Sequence, residues 1–473
     1  MADDAMTDSM TINRASLRPG QHALVVGLGR SGMATARLLA AQGLRVSVSE
    51  GAPLNRLAGE QVQELAARGI ALETGGHSAA FFTRSDFIVV SPGVPLTLAV
   101  LEDARRRGVP VLGELGLAAM LLTTPCVAIT GTNGKSTVTT LVGDMLRAAG
   151  QEVFVGGNLG TPLAEYVLGP QQAKAVVLEV SSFQLDTAGA FRPRVAVLLN
   201  ITPDHLERYA SYEAYAASKW SIFRHQGPGD VAVINLDDNE VARLAAAHPT
   251  PGRCCTCGRA PGSGTGAHLQ GKTVVVRGMG AGDHQEAYDL AATGLAEEPN
   301  LHNAMAAILA ARLLACPEAA VRQGLAGFTA LPHRLALVAE IDGVAYFDDS
   351  KGTNVGAVLA ALTAMTRPVV LIAGGRDKGG AYTLLAEQAG KKIKGLVLLG
   401  EAREKIAAAF GNRIQVEMAG DLAEAVAMAA HLASPGDAVL LSPACASFDM
   451  FASYAQRGER FQEAVRAMGR REK

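Results

Sequence analysis

Short aliphatic runs ending in glycine or another turn residue recur along the chain: ALVVGLG from Ala23, FIVVSPG from Phe87, CVAITGTNG from Cys126, VAVLLNITPD from Val195, VVLIAGG from Val369, GLVLLG from Gly395 and AVLLSPA from Ala438. Their near-continuous hydrophobicity predicts strands buried on both faces, as in parallel sheets covered by helices. Between them lie Ala- and Leu-rich stretches such as SGMATARLLAAQG and KSTVTTLVGDMLRAAG, each closed by glycine as helices are. The predicted class is α/β. One set of strand and helix units runs from about Gln21 to Gly113, another opens at Cys126, and a third follows the Pro-containing segment GFTALPHR. These breaks predict three domains, residues 1–113, 114–330 and 331–473, with a parallel sheet in the middle one. The polar stretch at 251–272, PGRCCTCGRAPGSGTGAHLQGK, reads as a loop inserted in the middle domain.

Composition narrows the functional classes. With 43 Lys and Arg against 45 Asp and Glu in 473 residues, the formal charge of −2 argues against a general nucleic-acid or anionic-membrane binder. The start, MADDAMTDSM, has acidic residues where a secretory signal needs basic ones, and no apolar run is long enough to cross a bilayer, so a soluble cytoplasmic protein is expected. Of six cysteines, Cys254, Cys255 and Cys257 cluster in CCTC, but no second ligand pair with matching spacing follows. Free thiols on a loop are the expectation.

Two glycine-rich loops offer chemistry. Gly27, Gly29 and Gly32 follow the first strand and open a helix, with Glu50 near the end of the next strand, a pattern that suits a diphosphate at a helix N-terminus. A dinucleotide, another nucleotide and a purely structural turn all satisfy it. The second loop is more specific: Gly131, Thr132, Asn133, Gly134, Lys135, Ser136 and Thr137 lie between a buried strand and a helix. Backbone N–H groups of such a loop wrap phosphate oxygens, Lys135 reaches the β and γ phosphates, and the Ser136 hydroxyl is a Mg²⁺ ligand. It departs from the generic phosphate-loop pattern in having Ile129 at the first glycine position.

The loop GTNGKST, taken with GLGRSG, SSFQL, LPHR, DDSKGTN and SPACASFDMF in this order, resembles the Mur ligase family. The resemblance implies Rossmann-like first and third domains around an ATPase, and ligation of D-glutamate to UDP-N-acetylmuramoyl-L-alanine in peptidoglycan synthesis. Arg30, Ser31, Glu50 and Gly93 would line the uridine diphosphate. Glu179, Ser136, His205 and a carbamylated Lys219 would hold two Mg²⁺ ions, and Asn158 and Ser181 would contact substrate. Asn300 is assigned to adenine and Asn303 to the phosphate side, although Pro299 stands where relatives often have His. Arg334, Asp349 and Lys351 would contact ATP, while Thr353, Lys378, Ser447, Phe448 and Tyr454 match D-glutamate contacts.

Each of these residues has an ordinary alternative: a helix cap for Glu179, Asn300 and Asn303, a solvated charge for Lys219 and Arg334. The implied chemistry is activation of a carboxylate by ATP as an acyl phosphate, then attack by an amine, with the third domain closing to exclude water. No nucleic acid or stable membrane insertion is expected, and a monomer is. A nicotinamide oxidoreductase, an ATP-gated switch and a sister ligase with another acceptor are the rival readings.

Overall fold

The computed structural model describes residues 12–279, 284–389 and 391–469. Each aliphatic run named above forms part of a strand, and among the described residues the strands assemble into three sheets of five, nine and six strands. The first sheet is parallel throughout, in the order Ala71–Thr74, Arg45–Glu50, His22–Val26, Phe87–Val90, Val111–Gly113. The order reverses beside His22–Val26, so the loop that follows it opens into the crevice where α/β sheets take ligands.

In the second sheet the strand Cys126–Thr130 lies inside, third from the Val153–Gly157 edge and flanked by Ala175–Glu179 and Val195–Leu198. Val127 and Ile129 pack on one side and Cys126 and Ala128 on the other, all buried, which is why this segment carries no polar alternation. One correction concerns residues 251–272. Arg253–Gly258 and Gly266–Gln270 are parallel strands of this sheet, not an inserted loop, and the cysteines lie on the first of them. Cys255 and Cys257 point inward as small hydrophobes, so the alternation exists but is carried by thiols. The sheet is also mixed, because Thr273–Arg277 and Gln285–Asp289 add an antiparallel edge.

The third sheet is parallel except for Ala336–Ile341, which pairs antiparallel with Val344–Asp348. Its strand Val344–Asp348 ends in the loop 349–354, which faces the middle sheet's phosphate-type loop and brings sequence-distant residues into one cavity. Among the described residues no helix is long and apolar enough to cross a membrane.

Candidate active site

The loop after Cys126–Thr130 is held open from both sides. Gly131 and Gly134 have φ of +151° and +86°, and a Cβ on Gly134 would sit 2.2 Å from Asn303 Oδ1. Only glycine fits there. The Asn133 N–H donates to Asn200 Oδ1 at 2.8 Å while Asn200 Nδ2 donates to the Asn133 carbonyl at 3.0 Å, so one side chain fixes both polar groups of the turn. Lys135 begins the helix Lys135–Ala148, and its ammonium donates to the Gly131 and Thr132 carbonyls, each at 2.8 Å.

A second cation shares that anchor. Lys219, on the helix Tyr212–Trp220, is buried and donates to the Gly131 carbonyl at 2.8 Å, with its ammonium 4.8 Å from the centre of the Tyr215 ring. Burial first, and then the charge of Lys135, push its amine well below the ordinary lysine range. Tyr215 in turn exchanges a hydrogen bond with Thr132 at 3.0 Å. Glu179 ends its strand fully enclosed: Oε1 accepts from Asn158 at 2.6 Å, and Oε2 is buried with no hydrogen-bond partner. Burial raises its carboxyl, but Lys135, Ser136 and Asn158 outweigh it and hold it below the usual range. An anionic carboxylate with one bare oxygen suits a cation.

The third sheet contributes from the opposite wall. Arg334 donates to the Ser136 hydroxyl at 3.1 Å. Asn354 exchanges amide hydrogen bonds with Asn133 at 3.3 and 3.1 Å and donates to Asp204 at 3.0 Å. Lys378 reaches the same Asp204 at 2.6 Å across the two sheets. Asp349 accepts from Ser442 at 2.6 Å, and burial pushes its carboxyl up to about 7. Burial likewise pushes Lys351 down to about 8, with its ammonium 3.9 Å from the centre of the Tyr454 ring.

Together these elements enclose a cavity of about 560 Å³. Residues 132–137, Asn158, Glu179, His205, Asn300, Asn303, Arg334, Asp349, Lys351 and Thr353 line it. Lys219 and Lys378 lie behind the lining, reaching it through Gly131 and Asp204. His205, in a left-handed turn with φ of +57°, packs edge-on against Phe183 at 4.7 Å between ring centres. Pro299 is the N-cap of the helix Asn300–Leu313, so neither Asn300 nor Asn303 caps it. Glu179 is no cap either, whereas Ser181 is: its hydroxyl accepts from the Gln184 N–H at 3.3 Å in a reciprocal capping box. Ser447 is buried beyond the cavity wall, and Phe448 is exposed beside it.

The first domain's residues stand apart, around the loop after His22–Val26. A Cβ on Gly32 would meet the Gly27 carbonyl oxygen at 1.9 Å, and Gly27 has φ of +89°. Glu50 accepts from the Leu28 N–H at 2.5 Å and the Ala52 N–H at 2.8 Å, tying the turn to the next strand. Arg30 and Gly93 are both exposed, and the Ser31 hydroxyl oxygen is buried without a partner. Two residues of the site escaped sequence reasoning. Tyr215 stands four residues before Lys219, a spacing that puts both on one helix face and could have flagged it. Ser442 gave no local signal.

Three family descriptions match the chain in order: Mur ligase MurD-like, N-terminal domain, over residues 21–113; Mur ligase middle domain over 129–311; and Mur ligase, glutamate ligase domain, over 333–445. A UDP-N-acetylmuramoylalanine–D-glutamate ligase from Desulfosudis oleivorans is 46% identical over 94% of this chain and 96% of its own. The enzyme of the same name from Anaeromyxobacter dehalogenans is 46% identical over 95% and 98%. Among solved structures, a pseudomurein peptide ligase type C from Methanothermus fervidus aligns with a TM-score of 0.60 at 19% identity, covering 95% of this chain and all of that one. A MurF ligase from Thermotoga maritima in complex with ADP aligns at 0.58 and 17% identity, over 90% and 96%. At such identities the two structures speak for the fold.

Proposed function

The chain belongs to the Mur ligase family and is an ATP-dependent ligase joining D-glutamate to UDP-N-acetylmuramoyl-L-alanine in peptidoglycan precursor synthesis; we propose that it does so through an acyl phosphate formed at the 131–137 loop. The observation that carries the mechanism is the convergence of Lys135, Arg334 and Lys351 with the half-bare carboxylate of Glu179 on one cavity beneath a glycine loop. Residues 1–113 hold the UDP-sugar, 114–330 the ATP and 331–473 the D-glutamate, with Arg30, Ser31, Glu50 and Gly93 serving the first ligand and Thr353, Lys378, Ser447, Phe448 and Tyr454 the last. All three regions belong to one chain, which supports a working monomer. Its nucleotide-activated substrates favour a cytoplasmic reaction.

In the first step the alanyl carboxylate oxygen attacks the γ-phosphorus, the bond to the β-phosphate oxygen breaks, and ADP leaves. Lys135 and Arg334 offset charge on the transferring group. Ser136, Glu179 and His205, with Lys219 once carbamylated, would hold Mg²⁺, which when bound supplies neutralisation of the triphosphate. The Lys219 surroundings fit carbamylation. A buried amine whose pKa is pushed down by burial and by Lys135 gives up its proton more readily and attacks CO₂, releasing a proton as the carbamate forms, and the resulting anion beside Lys135 replaces repulsion with attraction. In the second step the D-glutamate amine attacks the acyl carbon, sheds a proton, and phosphate departs. Asn354 and Lys378, already engaged with Asn133 and Asp204, keep the acceptor domain against the loop and water out.

The test supplies ATP, Mg²⁺ and UDP-N-acetylmuramoyl-L-alanine with D-Glu, L-Glu, L-Ala or diaminopimelate in turn. ADP release and a lengthened sugar-peptide are expected with D-Glu alone. ATP hydrolysis indifferent to the acceptor would favour a nucleotide-gated switch instead.

A further inference from the structure

The wall of the cavity at Glu297, Glu298, Pro299 and Asn300 is tied down by groups to which no role has yet been given. Asn300 and Asn303 lie three residues apart at the start of their helix and share the face lining the cavity. His302 projects to another side. Its Nδ1 lies 2.6 Å from Glu298 Oε2 and its Nε2 lies 2.7 Å from Asp237 Oδ2. Carboxylates accept only, so both contacts are hydrogen bonds only when both ring nitrogens carry protons. Between two ionised carboxylates the geometry calls for an imidazolium.

Arg259 closes the network. Its guanidinium donates to Glu298 at 2.7 Å and its backbone N–H to both oxygens of Asp237 at 2.9 and 2.8 Å. Asp237 leads back towards the phosphate loop, since its N–H donates to Asn235 Oδ1 at 3.1 Å and Asn235 Nδ2 donates to the Leu199 carbonyl at 2.7 Å. Leu199 packs under Gly131 and Gly134. Among neighbouring charges, Glu297 pairs with Lys272, and Asp238 is engaged by the Ile201 and Val241 N–H groups, so neither competes for the ring.

We propose that His302, held as an imidazolium between Glu298 and Asp237, is a positioning residue that fixes the 297–300 wall and thereby sets the affinity for ATP, leaving the chemical step to other groups. This rests on the reading that the cavity takes ATP. Burial lowers the ring's pKa, but the Glu298 and Asp237 contacts outweigh it and leave the pKa above its ordinary value. A group raised in this way is fully charged at low pH and loses its charge as pH rises through the raised value, so the network weakens only above about 6.5. The KM for ATP therefore increases on the alkaline side.

The experiment measures KM for each of the three substrates, and kcat, from pH 7 to 9.5 (roughly the span above the ordinary histidine range) at saturating Mg²⁺. For the wild-type protein a several-fold alkaline rise in KM for ATP is expected, with kcat following a different profile. His302→Gln should give a raised KM for ATP and His302→Arg, which keeps the charge, a low one, both varying with pH less than the wild type does, the part that remains belonging to Lys351, whose amine is pushed down to about 8 in the same cavity. Asp237→Asn is the second variant should His302→Gln fold poorly by thermal melting, and it should also raise KM for ATP at pH 7. An unchanged pH response in these variants, or equal shifts in all three KM values, overturns the proposal. If the wild-type protein forms no ADP, the ligase reading itself has failed, and the two failures are distinct.

Discussion

The loops after His22–Val26 and Cys126–Thr130 have the same backbone plan, a buried strand, a glycine at positive φ directly after it and a helix, yet opposite electrostatics. In the first, the Leu28 and Ala52 N–H groups point at the Glu50 carboxylate, so the protein supplies its own anion to the turn. In the second, the polar groups are fixed by the neutral Asn200, and two lysines converge on the Gly131 carbonyl. Glycine spacing encodes how tightly the chain turns. The charges around the turn decide which phosphate is merely held and which is transferred.

The sharpest way to break this comparison is Lys135→Ala. Loss of one preorganised cation at a transferring phosphoryl group costs about 10²–10³ in kcat. ADP formation should fall by that much while titration with UDP-N-acetylmuramoyl-L-alanine gives an unchanged affinity. If sugar binding fell in parallel, the two loops would not be separate sites.

Glycine substitutions come next in size. Gly134→Ala forces an L side chain into φ of +86° and a Cβ into Asn303, and the left-handed conformation alone costs about 1–2 kcal/mol. An ATP affinity roughly tenfold weaker is the expected result, read as KM for ATP. Gly29 is its counterpart, with φ of −71° and nothing within 4 Å of an added Cβ. Gly29→Ala should melt as the wild type does and weaken only the UDP-sugar, because that methyl meets the ligand, not the protein. A lowered melting temperature would show that Gly29 serves the fold.

Why the sequence disclosed one part of the site and not another follows from distance along the chain. The strands were legible because buried parallel strands are apolar without interruption, and the 131–137 loop because its donors are neighbours in sequence. Arg253–Gly258 reads as a loop because its inward positions are Cys255 and Cys257 within a glycine-rich surround. Lys378 was assigned to a D-glutamate carboxylate from resemblance, but its contact with Asp204, 174 residues away, has no local pattern to announce it. The same holds for Asn354 and Asn133, 221 residues apart. Contacts between sheets are set by how the domains meet, and hydrophobic periodicity carries no record of that.

The smallest expected effect probes the first loop's built-in anion. Glu50→Gln keeps one acceptor oxygen but turns an amide N–H₂ towards a backbone N–H, so one of the two tethers at Leu28 and Ala52 is lost. A hydrogen bond to a charged acceptor is worth about 1.5–3 kcal/mol when fully formed, and the part-exposed turn recovers some of that from water. Against this, the substitution removes a negative charge that repels a diphosphate at the same turn, an effect that salt screens. The tether is the stronger of the two because it is direct and short, so KM for the UDP-sugar should rise a few-fold with KM for ATP unchanged. A lower KM for the UDP-sugar would reverse the ranking, making Glu50 a charge that opposes the diphosphate more than it organises the loop.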